Sequence, residues 1–142
     1  MSTTTNLAAE FHVASQLLRL GYIATVTLGN TKEIDLIVAH PDGRTVTIDS
    51  KGLKNTTNWP LNPKLVRDTH FFALVCYRNR LTKLDFHPEV FIVPSVQVHS
   101  VLSRWSGRPD ISCVGYSKLR NSQYKEAWHL LFGDAIPHEP NA

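Results

Sequence analysis

Two apolar runs separated by a short turn-forming segment constrain this chain more than any other stretch. Between Glu33 and Lys51 the sequence reads EIDLIVAHPDGRTVTIDSK. Ile34 to Ala39 and Thr45 to Ile48 flank His40-Pro41-Asp42-Gly43, where proline pre-sets one turn torsion and glycine tolerates a positive φ. The pattern predicts an antiparallel hairpin. A turn centred on Pro41-Asp42 or Asp42-Gly43 sets Asp35 opposite Ile48, Asp49 or Ser50, so the two aspartates become cross-strand neighbours. Lys51 lies two residues beyond Asp49 and shares its face. Ile34, Leu36, Val38, Val46 and Ile48 collect on the other face. Like charges held this close are destabilising unless something positive lies between them. Two carboxylates and an ammonium therefore converge on one patch.

At 142 residues the chain is read as a single domain, 1–142, with a core over about 6–132 and enough length to bury it. A hydrophobic share of 42% with a charged share of 19% argues against a disordered chain. No apolar run reaches the roughly 18 residues of a membrane span, and MSTTTNLAAE lacks the basic flank and apolar segment of a secretory signal. The expectation is a cytoplasmic protein without a membrane partner. Cys76 in FFALVCY and Cys113 in ISCVGY read as buried reduced thiols, and their spacing matches no zinc pattern. The seven histidines form no HxH or HExxH pair and are assigned ordinary surface or core roles.

Charge is distributed unevenly. Residues 1–50 carry three basic and five acidic side chains, residues 51–83 carry seven basic and one acidic, and the remainder carries five and six. A basic segment directly after an acidic patch suits a polyanion; a solvated basic surface is the alternative.

Along the chain, a first helix is expected from Thr5 or Asn6, either serving as cap, to Gly21. Leu7, Phe11, Ala14 and Leu18 follow helical spacing, widened by Val13, Leu17 and Leu20. Glu10 falls at the margin of that face, where a carboxylate needs a partner or water. Tyr22 to Leu28 predicts a strand. Gly52 to Pro63 predicts a loop at the mouth of the patch, its Trp59 either a cap on the core or a surface for a base to stack on. Pro63 is expected to open a short helix over Lys64 to Arg67. His70 to Tyr77 predicts a strand buried on both faces. Arg78 to Lys83 reads as a basic connector, and Val90 to Val93 as a strand stopped by Pro94. A helix capped by Ser95 and carrying Val98, Val101, Leu102 and Trp105 should break at Gly107-Arg108-Pro109, with a second helix at 121–132 and a frayed tail from Ile136.

The order helix, strand, hairpin, loop or short helix, buried strand, strand and helix, with Glu10, Asp35 and Asp49-x-Lys51 in sequence, resembles the PD-(D/E)xK nuclease superfamily, which includes many restriction endonucleases and archaeal Holliday-junction resolvases. The resemblance covers roughly residues 6 to 93 and is carried by AEFHVASQLLRLGY, KEIDLIV and TVTIDSKG. It implies an α/β, restriction-endonuclease-like three-layer core, a central mixed β-sheet flanked by helices. It further implies a Mg2+-dependent nuclease, with Mn2+ able to substitute. Asp35 and Asp49 would then be metal ligands, Lys51 the catalytic lysine, Glu10 an outer ligand or water-orienting acid, and the Ser50 peptide carbonyl a further ligand position. Asp49 stands where glutamate is commoner, and Ser50 where an apolar residue is usual.

The residue types suit that chemistry on their own terms. Magnesium takes carboxylate and water oxygens and keeps several waters, so two or three acids suffice. The ion removes the repulsion between Asp35 and Asp49, polarises a phosphoryl oxygen and lowers the pKa of bound water. Lys51 is expected to act electrostatically on that water or on the phosphate. Lys54, Lys64 and Arg67 follow the patch with little acid nearby and are the expected phosphate contacts. The expected activity is endonucleolytic cleavage of DNA. The alternatives are an RNA-processing enzyme of the same fold, a non-catalytic module binding nucleic acid or protein, and a purely structural salt-bridge cluster. A homodimer would bring two sites to the two strands of a duplex.

Overall fold

The computed structural model describes residues 3–29, 33–133 and 136–137. The chain opens on a helix, α1 (Thr3–Arg19). Its end is the expected one: the Tyr22 N–H donates to Leu17 O and the Gly21 N–H to Leu18 O, both at 3.1 Å, with Gly21 at φ 96°. This paired closure satisfies carbonyls that the last turn leaves open. Its start is earlier than expected. Thr5 and Asn6 lie inside the helix, and Asn6 Oδ1 accepts the Gly52 N–H at 2.8 Å instead of capping. The buried face also differs from the expected one, for Ala9, Val13, Ala14 and Leu17 pack inward while Leu7, Phe11 and Leu18 stay exposed. Apolar residues cover more than half of the helix circumference, so periodicity alone left both stripes available. Small residues at 9 and 14 let α1 lie close to the sheet.

Eight strands follow. They are β1 (Ile23–Val26), β2 (Leu36–Ala39), β3 (Thr45–Leu53), β4 (Asn58–Pro60), β5 (His70–Cys76), β6 (Glu89–Pro94), β7 (Leu102–Trp105) and β8 (Arg108–Gly115). Five form a mixed sheet in the order β1-β2-β3-β5-β6, in which only β3 and β5 run parallel. The parallel pair needs a crossover, and residues 54–69 supply it. β4, β8 and β7 form a second, three-stranded sheet. The architecture is the expected α/β one, with a central mixed sheet flanked by helices, and a small second sheet is added on one side.

The hairpin of β2 and β3 forms as its sequence predicts. The Gly43 N–H reaches His40 O at 2.9 Å around Pro41-Asp42, and the His40 N–H reaches Arg44 O at 2.8 Å. Pairing sets Leu36 across from Ile48 and Val38 across from Val46. All four enter one core with Ala9, Val13 and Leu17 of α1 and with Trp128 and Leu131. The other face of the sheet packs Leu53, Phe72, Leu74, Phe91 and Val93 against Trp59, Val98, Val114 and Leu119. Every residue of β5 is buried, as its unbroken apolar run requires. Trp59 is the core cap: it is fully buried and its Nε1–H donates to Val75 O at 3.1 Å. Cys76 and Cys113 are free and buried. Among the described residues no helix is long and apolar enough to cross a membrane.

Several local expectations give way to longer-range pairing. β3 runs on to Leu53, and the expected loop holds β4, hydrogen-bonded to β8. No helix forms over Lys64 to Arg67, because the backbone there is held from outside. Ser95 Oγ accepts the Arg67 N–H at 2.9 Å and donates to Arg67 O at 2.7 Å, so Ser95 is no helix cap. The segment after Pro94 is a 3-10 helix (Ser95–Val101) that leads into β7, where Leu102 and Trp105 pair with β8. The expected helix at 121–132 is replaced by two short ones, Tyr116–Leu119 and Trp128–Leu131. Between them the backbone turns outward to serve β6: Ile92 N–H donates to Tyr124 O at 3.0 Å and Glu126 N–H to Val90 O at 2.7 Å. A continuous helix would spend those groups on itself. Most of the tail expected to fray lies outside the described residues.

The closest approach of α1 to the sheet is at Gly52, where an added Cβ would stand 2.6 Å from the Thr5 carbonyl oxygen and 3.0 Å from its carbon. Both are backbone atoms, so the helix itself must move. Gly52→Ala is therefore expected to destabilise the protein by about 1–3 kcal/mol, measured by urea denaturation. Wild-type stability in this variant would show that α1 is free to shift.

Candidate functional site

The site begins where β2 ends. Leu36 pairs with Ile48 in register, and one further regular step would set Asp35 across from Asp49. The ladder breaks there: the Asp35 N–H donates to Ile48 O at 2.8 Å, and the Asp35 carboxylate takes the Ser50 N–H at 2.7 Å. A side chain thus satisfies a strand amide that β2 no longer reaches. A strand residue's C=O projects to the same edge as its N–H, so the Ser50 carbonyl faces that vacated edge too.

β3 alternates as expected. Ile48 enters the α1 core, while Asp49 and Lys51 share the face of Leu53. Lys51 Nζ stands 3.6 Å from Asp49 Oδ1; the Asp49 side chain is 12% exposed and that of Lys51 34%. Glu10, half-buried on α1, completes the cluster through a hydrogen bond between its carboxyl and that of Asp35. Burial pushes the Glu10 carboxyl up to about 7, helped by the Asp35 bond and by the charges of Asp35 and Asp49 and opposed by Lys51. Burial likewise pushes Asp49 up to about 7; Lys51 opposes this and the Asp35 charge adds to it. Three carboxyl groups share one ammonium, so the patch holds protons at neutral pH for want of positive charge.

That donor set fits a hard divalent cation. Asp35, Asp49 and the Ser50 carbonyl offer oxygens on one edge, Glu10 stands behind Asp35, and added positive charge is what the raised carboxyl groups lack. Among the described residues no three or more His, Cys, Asp or Glu side chains are grouped as a ready-made metal site. Magnesium does not require one, because waters fill several of its positions.

The cluster opens into a cavity of about 450 Å³, lined by Glu33, Asp35, Asp49, Lys51, Lys64 and Asp110 among others. Of the three expected phosphate contacts, Lys64 lines this cavity and Lys54 lines the adjoining one, whereas Arg67 lines neither. Asp110, Ser112 and His70 were not among the expected site residues. Asp110 and Ser112 arrive on β8, which pairs with β4 across a gap of some fifty residues that no local pattern spans. His70 heads β5 directly across from Thr47. It is fully buried, its Nδ1 lies 2.7 Å from Thr47 Oγ1, and burial, then Arg67, press its pKa down to about 4 against the pull of Asp35. Only the parallel register places it beside the acids, and that register is not a local signal.

The raised carboxyls make stability depend on pH. Glu10 and Asp49 ionise near pH 4 in the unfolded chain but near 7 in the folded one, so the folded state binds more protons in between. Their contribution is present in full below pH 4 and is lost as pH rises to about 7. In chelator-treated protein, Asp49→Asn should therefore match wild type near pH 4 and exceed it by about 1–2 kcal/mol at pH 8, read by urea denaturation at both values. Equal stability at pH 8 would contradict the charge crowding.

No family model matches the chain, and no curated protein matches its sequence. Among solved structures, the chain is similar to a bacterial homing endonuclease, I-Ssp6803I. The superposition has a TM-score of 0.61 at 18% sequence identity and covers 93% of this chain and 95% of the other. Over nearly its whole length, the chain has the fold of that endonuclease.

Proposed function

We propose that this chain is a magnesium-dependent nuclease of the PD-(D/E)xK type that hydrolyses phosphodiester bonds in DNA. The observation that carries the reading is the convergence of Glu10, Asp35, Asp49 and Lys51, the last three lining a cavity that Lys64 also lines. The fold shared with a homing endonuclease supports it.

Asp35, Asp49 and the Ser50 carbonyl are the groups to hold Mg2+, with Mn2+ as a substitute and Glu10 as an outer ligand. The bound ion would supply a Lewis acid for the phosphoryl oxygen and an acidified water. Glu10 then orients a water from behind Asp35. Lys51, 3.6 Å from Asp49, would offset the charge that builds on the attacked phosphate. Asp35 keeps the edge of β3 in place through the Ser50 amide. Lys64 and Lys54 position the backbone on either side.

Purified protein is expected to cleave supercoiled plasmid with Mg2+ or Mn2+ and not with chelator. Asp49→Ala and Lys51→Ala should each lower the rate by about 10²–10³ or more. Direct conversion to linear DNA would mark two sites acting together, as a homodimer supplies; accumulation of nicked circles marks one. Cleavage that survives both substitutions belongs to a contaminant. A second reading, a binding module that keeps the fold without turnover, draws on the Asp49–Lys51 pair, which already closes on itself at 3.6 Å. Absence of cleavage on supercoiled, linear, branched and single-stranded DNA and on RNA would favour it.

Phosphate contacts have their own signature. Lys64→Ala is expected to weaken DNA binding and to reduce the slope of log K against log salt by about 0.9. Arg67→Ala, outside both cavities, should change the slope less. Equal slopes for wild type and Lys64→Ala would remove Lys64 from the interface.

A further inference from the structure

A second cavity, of about 500 Å³, adjoins the acidic one, and the two share Lys51, Pro60 and Ile111 as a common wall. Its chemistry is the opposite of its neighbour's. Trp105, Pro60 and Ile111 give it apolar and aromatic surface over a buried Trp59, Lys54 lines it together with Lys51, and among the described residues no acid does. Trp59 is wholly buried and fixed by its bond to Val75 O, whereas Trp105 is half-buried on the β7–β8 hairpin. Asn6, whose Oδ1 is held by the Gly52 N–H, adds an amide group. Nothing in the hydrolytic chemistry calls for such a chamber. Its size falls within the roughly 300–1,000 Å³ of small-ligand sites.

We infer that this cavity receives one unstacked nucleobase from the nucleotide next to the phosphate held at Lys51. The inference rests on the nuclease reading and narrows its substrate to nucleic acid with an unpaired or extruded nucleotide. A base has apolar faces that aromatic side chains stack on, and a polar edge that an amide can read. Its own phosphate is anionic and belongs at a rim carrying Lys51 and Lys54. A base within a duplex is covered on both faces by its neighbours, so only one outside the stack reaches Trp105. The acidic cavity itself would repel the phosphate until a cation occupies it, so the lysine-rimmed chamber gives the strand a hold that needs no metal.

The test measures binding in EDTA, by fluorescence anisotropy, of three duplexes: one with a single unpaired nucleotide, the same with an abasic residue at that position, and one fully paired. Wild type should bind the base-bearing duplex about tenfold or more tightly than the abasic one. Trp105→Ala should bring the two within about twofold of each other, Trp105→Phe should retain most of the preference, and neither should alter binding of the paired duplex. Wild-type protein that binds all three alike overturns the base site, with no variant needed, and leaves the nuclease reading standing. Preference retained in Trp105→Ala also overturns it. A base preference without cleavage under any metal supports the cavity and removes the nuclease, and failure to bind any nucleic acid removes both.

Discussion

The parallel seam between β3 and β5 is the constraint on which the rest of the structure depends. Seven residue pairs, from Thr47 and His70 to Leu53 and Cys76, lock the two strands together. β5 is apolar and buried throughout, so it must have protein on both faces, and the two cores exist to supply it. β3 is less uniform. It contributes Val46 and Ile48 to the α1 core and Leu53 to the other, yet between them it carries Asp49 and Lys51. Charge can stand there only where the covering layer is incomplete, and the gap between the main sheet and the small second sheet is that place.

The gap is shaped by two departures from regular structure. β2 stops one residue short of facing Asp49, which frees the edge of β3 at Ser50 and turns the Asp35 side chain onto that edge. Two residues further along the same edge, α1 comes so close to Gly52 that a Cβ would clash with the Thr5 backbone, and Asn6 accepts the Gly52 amide. Glu10 lies one turn further along the same helix and so reaches Asp35. An interrupted ladder and a close helix crossing thus bring three acids from three elements into one small volume. A continuous ladder would have kept them apart.

How much of this was legible in the sequence follows from how local each signal is. The hairpin was readable because turn chemistry and two-residue alternation both act within a few residues, and Asp35, Asp49 and Lys51 fell on one face as expected. The run at 70–77 was readable because burial on both faces leaves an unbroken apolar record. The inward face of α1 was not, since Leu7, Phe11 and Leu18 satisfy helical spacing as well as Ala9, Val13 and Leu17 do. β7 and the 124–126 backbone were misread as helix because hydrogen bonds to β8 and β6 overrode local periodicity. His70 and Asp110 reach the site by the same long-range pairings, and so left no mark on the local pattern.

The distribution of charge sets this cluster apart from an ordinary surface salt bridge. With Glu10 and Asp49 both raised to about 7 by burial and by their neighbours' charge, the cluster resists ionising fully, and Lys51 cannot neutralise three carboxyls alone. A salt-bridge cluster selected only for stability would balance its charges, because unpaired buried charge is costly. This one crowds three carboxyls around one ammonium, two of them resisting ionisation, with Lys64 lining the same cavity and Lys54 the adjoining one. A cation beside the carboxyls and an anion beside Lys64 and Lys54 would each relieve like-charge crowding that the protein's own side chains leave in place.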